Sequence, residues 1–189
     1  SKETEAQYEQ ASRLYQLLSG GNLKKIPLQQ FILGIMLDDI LTYANEFFSL
    51  LSRGRYSLRR LEGSAGGNAK SGLDLEVLDG FTGAPRSIET LSGGEQFLAS
   101  LSLAFGLSDV VQSYSGSVRL DSIFIDEGFG SLDQDTLDTA MKALSQIQKM
   151  GRTVGIISHV SELKNRIATQ IQVHPSKNGG SSITMIKDA

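Results

Sequence analysis

Apolar positions in the first fifty residues follow two different helical patterns. From 1 to 18 the stripe is thin, with Tyr8, Leu14, Tyr15 and Leu18 set in a polar, helix-favouring background. That pattern suits a solvated helix or the end of a coiled coil, and the opening SKETEAQYEQ reads as the middle of a longer helix rather than a natural beginning. Ser19-Gly20-Gly21-Asn22 breaks it, and Pro27 fits the first residue of a second helix. From Leu28 to Leu51 the apolar residues (Phe31, Ile32, Ile35, Met36, Ile40, Leu41, Phe47, Phe48, Leu51) are dense enough to predict a helix buried on much of its surface.

The period then shortens to two. Residues 55–59 alternate, residues 73–78 alternate more clearly, and the Gly- and Ser-rich EGSAGGNAKSG between them predicts a turn joining an antiparallel pair. The Pro-containing FTGAPRSIET reads as a loop. Beyond it the pattern predicts helix 92–111, strand 120–125, helix 134–150, strand 153–158, short helix 161–167 and strand 170–174, with a last strand over 183–186. A strand, a helix and another apolar strand make a βαβ unit, with parallel neighbours and a right-handed crossover. The expected fold class is α/β: a parallel sheet with flanking helices, preceded by a helical segment (27–52) and antiparallel strands (55–78). Residues 1–18 form an arm and 19–189 one domain.

Composition narrows the function classes. The chain has 189 residues, enough for one core, with 40% hydrophobic and 21% charged residues, ordinary for a globular domain. A net charge of −3 gives no global basic field for nucleic acid. Arg53, Arg55, Arg59, Arg60 and Lys70 form a local basic cluster, either a contact to a DNA backbone or a solvated face. There is no cysteine, hence no disulfide framework and no thiolate zinc site, which suits a reducing cytoplasm. No apolar run reaches the roughly 20 residues that span a bilayer, so no membrane partner is expected.

Three segments carry candidate chemistry. In Ser92-Gly93-Gly94-Glu95 the spacing is that of a capping box. The same residues, with two glycines weakening the first helical turn by roughly 0.5–1 kcal/mol each, also suit a phosphate seat of bared N–H groups at the helix N-terminus. Ile123-Phe124-Ile125-Asp126-Glu127 is an apolar strand ending in two acids. They are surface loop acids, or Asp126 supports Mg²⁺ and Glu127 polarises a water. Asp133 is a helix cap or a functional acid. Ile156-Ile157-Ser158-His159 ends the neighbouring strand, and a strand spacing of about 4.8 Å lets His159 share a crevice with Asp126 and Glu127. Gly63–Ser71 imitates a phosphate-binding loop but has Ala69 where G-x-x-x-x-G-K-[ST] requires glycine, and a strand rather than a helix follows.

LSGGE (91–95), FIDEG (124–128), GSLD (130–133) and ISH (157–159) resemble the signature, Walker B, D-loop and switch-histidine motifs of ABC-type ATPases. DEGFGSLD…GIISHVSELKNRI, with ANEFFSLLSRGRYSL upstream, is similar to the SbcC family, the SMC-like DNA-repair ATPases of SbcC–SbcD nucleases. The resemblance implies the C-terminal lobe of an ATPase head, with 1–18 as the stub of its coiled coil. It implies ATP and Mg²⁺ as cofactors. Ser92, Gly93, Gly94 and Glu95 would form the nucleotide-binding signature, acting on the γ-phosphate held by the opposite head. Asp126 would support the metal, Glu127 would activate water, His159 would sense the γ-phosphate, and Asp133 would link two sites across a dimer. The implied partners are the N-terminal lobe, a second head, an SbcD-like nuclease and double-stranded DNA, in a cytoplasmic, nucleoid-associated setting. Related readings are a head of the SMC or RecN kind, or a docking module without turnover.

Overall fold

The computed structural model describes residues 2–23, 25–61, 73–116, 120–176 and 179–187. The false phosphate loop and Lys70 lie outside them. Two helices, α1 (Lys2–Leu18) and α2 (Leu28–Leu51), lead into a three-stranded antiparallel sheet of β1 (Tyr56–Arg60), β2 (Leu75–Asp79) and β3 (Ala84–Ser87). Then come α3 (Gly93–Ser115), β4 (Ser122–Asp126), α4 (Gln134–Lys149), β5 (Thr153–Ile157) and the short α5 (Ser161–Lys164). The hairpin β6 (Thr169–Pro175) and β7 (Ser181–Lys187) closes the order. The expected mix of parallel and antiparallel parts is present, and β4 and β5 are parallel with Asp126 opposite Ile157.

Strand β3 falls in the segment read as a loop. It is the edge of the first sheet, with Pro85 opposite Leu78. An edge strand tolerates proline because one of its sides needs no ladder hydrogen bond.

The core lies where α2, α3 and α4 meet the first sheet, with Phe48, Phe105, Val77, Leu58, Phe129 and Ala140 fully buried. Helices α2 and α3 approach tightly at Gly106, where an added Cβ would stand 2.5 Å from the Ile40 carbonyl oxygen and 2.7 Å from the Ala44 nitrogen. Only glycine permits that approach. The expectation that α2 is buried on much of its surface is corrected: its buried residues are Gly34, Leu41, Ala44, Phe48 and Leu51, while Leu28, Phe31, Ile32, Ile35 and Met36 are exposed. The covering elements α3 and β1 lie against the C-terminal part of the helix, so a uniform apolar pattern is met by uneven burial. Helix α1 is exposed along nearly its whole length.

Candidate functional site: a capped helix start and an acid–histidine edge

Ser92 caps α3. Its Oγ accepts from the Glu95 backbone N–H at 3.3 Å, and its own N–H donates to Glu95 Oε2 at 2.8 Å. Both arms of the capping box are made, as the spacing implied. The other carboxylate oxygen of Glu95 accepts from the Tyr56 hydroxyl at 2.7 Å, and Arg55 Nη1 stands 3.8 Å from it. Burial alone would raise the Glu95 carboxyl above its ordinary value; hydrogen bonds from Tyr56 and Ser92 outweigh burial and hold it below.

The two glycines differ. A Cβ on Gly94 would lie 3.3 Å from the Ser131 carbonyl oxygen and from Leu132 Cδ2, so glycine here lets the 130–133 segment run tightly across the helix. At Gly93 the nearest atom to an added Cβ is Ser131 Cβ, at 3.9 Å, an ordinary contact. Neither local packing nor a positive φ calls for glycine at 93. Ser92 to Glu95, Ser131 to Asp133, and Arg53, Arg55 and Thr139 line a pocket of about 620 Å³. Asp133 caps α4 by accepting from the Thr136 N–H at 2.8 Å, and that bond is the first reason its carboxyl is held below the usual range.

The acids end β4, and Glu127 adopts φ +63°, a left-handed conformation rare outside glycine. Its N–H donates to the Ile157 carbonyl at 2.9 Å, which ties the turn to β5. Its Oε2 lies 2.9 Å from His159 Nδ1. The strand register therefore brings Glu127 and His159 together beside Asp126, as the βαβ reading required. They occupy an open edge rather than a crevice: His159 is 81% exposed and Glu127 48%. The apolar neighbours Phe124 and Ile157 are exposed as well, since β4 and β5 pair only with each other among the described residues.

Between the two places runs a 3₁₀ turn, Phe129–Ser131. Phe129 is buried and packs edge-on against Phe97 of α3 at 5.0 Å. Gly128 precedes it at φ +98°, where a Cβ would run into the Phe97 ring. Asp126, Glu127 and His159 do not line the pocket at Ser92. For a metal, no cluster of three or more His, Asp or Glu exists among the described residues. Mg²⁺ is commonly held by one or two carboxylates with phosphates and waters, so Asp126 fits as one donor of a set it does not complete.

The described members of the basic cluster are engaged within the chain. Arg53, at φ +55°, donates to Thr139 Oγ1 at 2.9 Å and to the Asp135 carbonyl. Arg55 pairs with Asp79 at 3.1 Å, Arg59 with Glu76 at 2.6 Å and Arg60 with Asp38 at 2.7 Å. Sequence reasoning missed Tyr56 and Phe97 as parts of the site. The alternation around Tyr56 marks a strand, but its partner Glu95 is 39 residues away and leaves no local signal.

Residues 71–146 match the family model described as SbcC/RAD50-like, Walker B motif. The chain is 51% identical over 175 residues to the SbcC component of nuclease SbcCD from Vibrio cholerae serotype O1, covering 93% of this chain and 17% of that protein. It is 49% identical over 161 residues to the SbcC component of nuclease SbcCD from Staphylococcus aureus strain JH9, covering 85% and 16%. The chain thus spans about a sixth of the relatives it matches. Among solved structures it is similar to a chain from work on ATP-driven dimerization and DNA-stimulated activation of SMC ATPases (TM-score 0.61, 19% identity, 84% of this chain and 89% of that one). It is also similar to the SMC head domain from Thermotoga maritima (TM-score 0.55, 19% identity, 84% and 51%). The chain shares the fold of part of the SMC head domains.

Proposed function

The chain belongs to the SbcC/RAD50-like family, and from that premise we propose that it is the C-terminal lobe of an ATP-hydrolysing head that gates an associated nuclease at DNA ends. The observation that carries the reading is the separation of two half-sites in one chain: a signature pocket at Ser92 and an acid–histidine edge at Glu127, with no shared lining. The sequence contains no G-x-x-x-x-G-K-[ST] pattern, so the triphosphate is cradled by an N-terminal lobe. Each half-site then serves a different nucleotide, and two heads close on two ATP molecules.

In that arrangement the Ser92 hydroxyl and the N–H groups at Gly93 and Gly94 donate to the γ-phosphate held by the partner head, where negative charge develops. Gly93 leaves the space for that approach. Glu127 orients the attacking water and takes its proton, while a proton on His159 Nδ1 donates to the Glu127 carboxylate and fixes its direction. Mg²⁺, with Asp126 among its donors, would neutralise phosphate charge. Asp133, at the rim of the signature pocket, connects the two nucleotides across the dimer. An SbcD-like nuclease and double-stranded DNA are the partners, and the setting is cytoplasmic.

The test mixes lobes. The chain alone is expected to show no ATPase activity, and addition of the N-terminal lobe to restore it. Ser92→Arg is expected to abolish hydrolysis in the two-lobe protein while ATP still binds. Robust turnover by this chain alone, lost in Glu127→Gln, would overturn the proposal.

A further inference from the structure

A capping box asks little of its glutamate: one carboxylate oxygen reaching back to the N-cap N–H completes it. Glu95 does more. Its second oxygen is held by Tyr56, a residue of β1 that is only 4% exposed and stacks on Phe48 with ring centroids 5.9 Å apart. The Tyr56 hydroxyl in turn accepts from Arg86 Nη2 of β3 at 3.0 Å. Arg86 and Arg55 both approach Asp79 of β2, at 3.8 and 3.1 Å, and Asp79 is itself buried. All three strands of the antiparallel sheet therefore contribute to a polar chain that ends on the backbone of Ser92. Burial, then the bond to Glu95, pushes the Tyr56 phenol up to about 12, so it remains a donor to Glu95 across the working pH range.

We infer that the antiparallel sheet sets the aim of the signature serine, with Tyr56 and Glu95 as positioning residues that hold Ser92 and the first N–H groups of α3 where a phosphate must be met. This rests on the proposed function of the signature pocket and adds to it. Tyr56 and Asp79 are the buried members of this polar chain, and displacing it would strip them of their partners away from water, which resists movement. Geometry of this kind governs turnover rather than nucleotide affinity, since the triphosphate is cradled on the other lobe.

The experiment uses the two-lobe ATPase. Tyr56→Phe keeps the ring and removes the hydroxyl. It is expected to lower kcat about tenfold, with KM for ATP unchanged and Tm lowered by no more than a few degrees. Glu95→Gln, which cannot accept from Tyr56 and Ser92 with both of its terminal atoms, is expected to give a similar loss. In a Ser92→Ala background Tyr56→Phe is expected to cost clearly less than in the wild type, because the hydroxyl it aims is gone while the N–H groups of α3 remain. Wild-type kcat in Tyr56→Phe, or a full additional loss on top of Ser92→Ala, would overturn the positioning role. Failure of the underlying reading looks different: Ser92→Arg would itself leave hydrolysis intact.

Discussion

The N-terminus of α3 and the carboxyl end of β4 carry comparable chemistry and are held in opposite ways. At α3 both carboxylate oxygens of Glu95 are engaged, the helix start is pressed against the 130–133 segment at Gly94, and a buried tyrosine backs the cap. At β4 Glu127 and His159 rest on a single 2.9 Å contact at an exposed edge, with apolar Phe124 and Ile157 open beside it. The first place is held on several sides by this chain; the second stands open on its own edge. An electrostatic interaction gains strength as water is excluded, so the edge gains most from a partner that covers it, and the signature gains least.

That contrast breaks most readily at Glu127. In the two-lobe protein Glu127→Gln is expected to lower kcat by about 10²-fold or more. Stability of the lone chain should change by less than about 1 kcal/mol, since exposed pairs contribute little. A large loss in thermal stability would show the edge to be structural instead. The next effect separates the two glycines. Gly94→Ala forces a Cβ towards the Ser131 carbonyl and is expected to cost roughly 1 kcal/mol in denaturant unfolding. Gly93→Ala, with room for a methyl, should leave stability unchanged or slightly raised while ATPase activity falls. Equal stability losses at the two positions would erase the distinction between them.

The smallest effect concerns pH and belongs to the signature side. Glu95 is held below its ordinary value of 4.5, so its contribution to stability is complete above about that pH and disappears as pH falls through the lower folded-state value. Thermal melts from pH 6 down to 3 should therefore show wild type losing more of its Tm than Glu95→Gln. Parallel losses in the two proteins would mean that the Tyr56–Glu95 bond carries no stability.

Much of the site was legible because it is local. The S-x-x-E spacing gave the capping box at Ser92, and the apolar runs ending in Asp126-Glu127 and Ser158-His159 gave adjacent parallel strands, with the acid and the histidine brought into contact. Proline misled at β3, since a one-dimensional pattern does not tell an edge strand from a loop. The density of apolar residues misled at α2, because periodicity shows that a face is apolar but not what covers it. The arginines show what spacing leaves out: their cluster reads as surface charge, and the structure adds the partners, Arg55 with Asp79 and Arg60 with Asp38, acids more than twenty residues distant along the chain.

Sequence alone thus determined the local features: a capped Gly-Gly helix start, two acids and a histidine at strand ends, and no G-x-x-x-x-G-K-[ST] pattern. Those are short-range facts, written in spacing and residue type. Only the tertiary structure decided which glycine is packed and which is open, that Tyr56 stands behind Glu95, and that the two half-sites do not share a pocket. Each of these depends on atoms brought together from distant parts of the chain, where packing and hydrogen-bond satisfaction choose the partner.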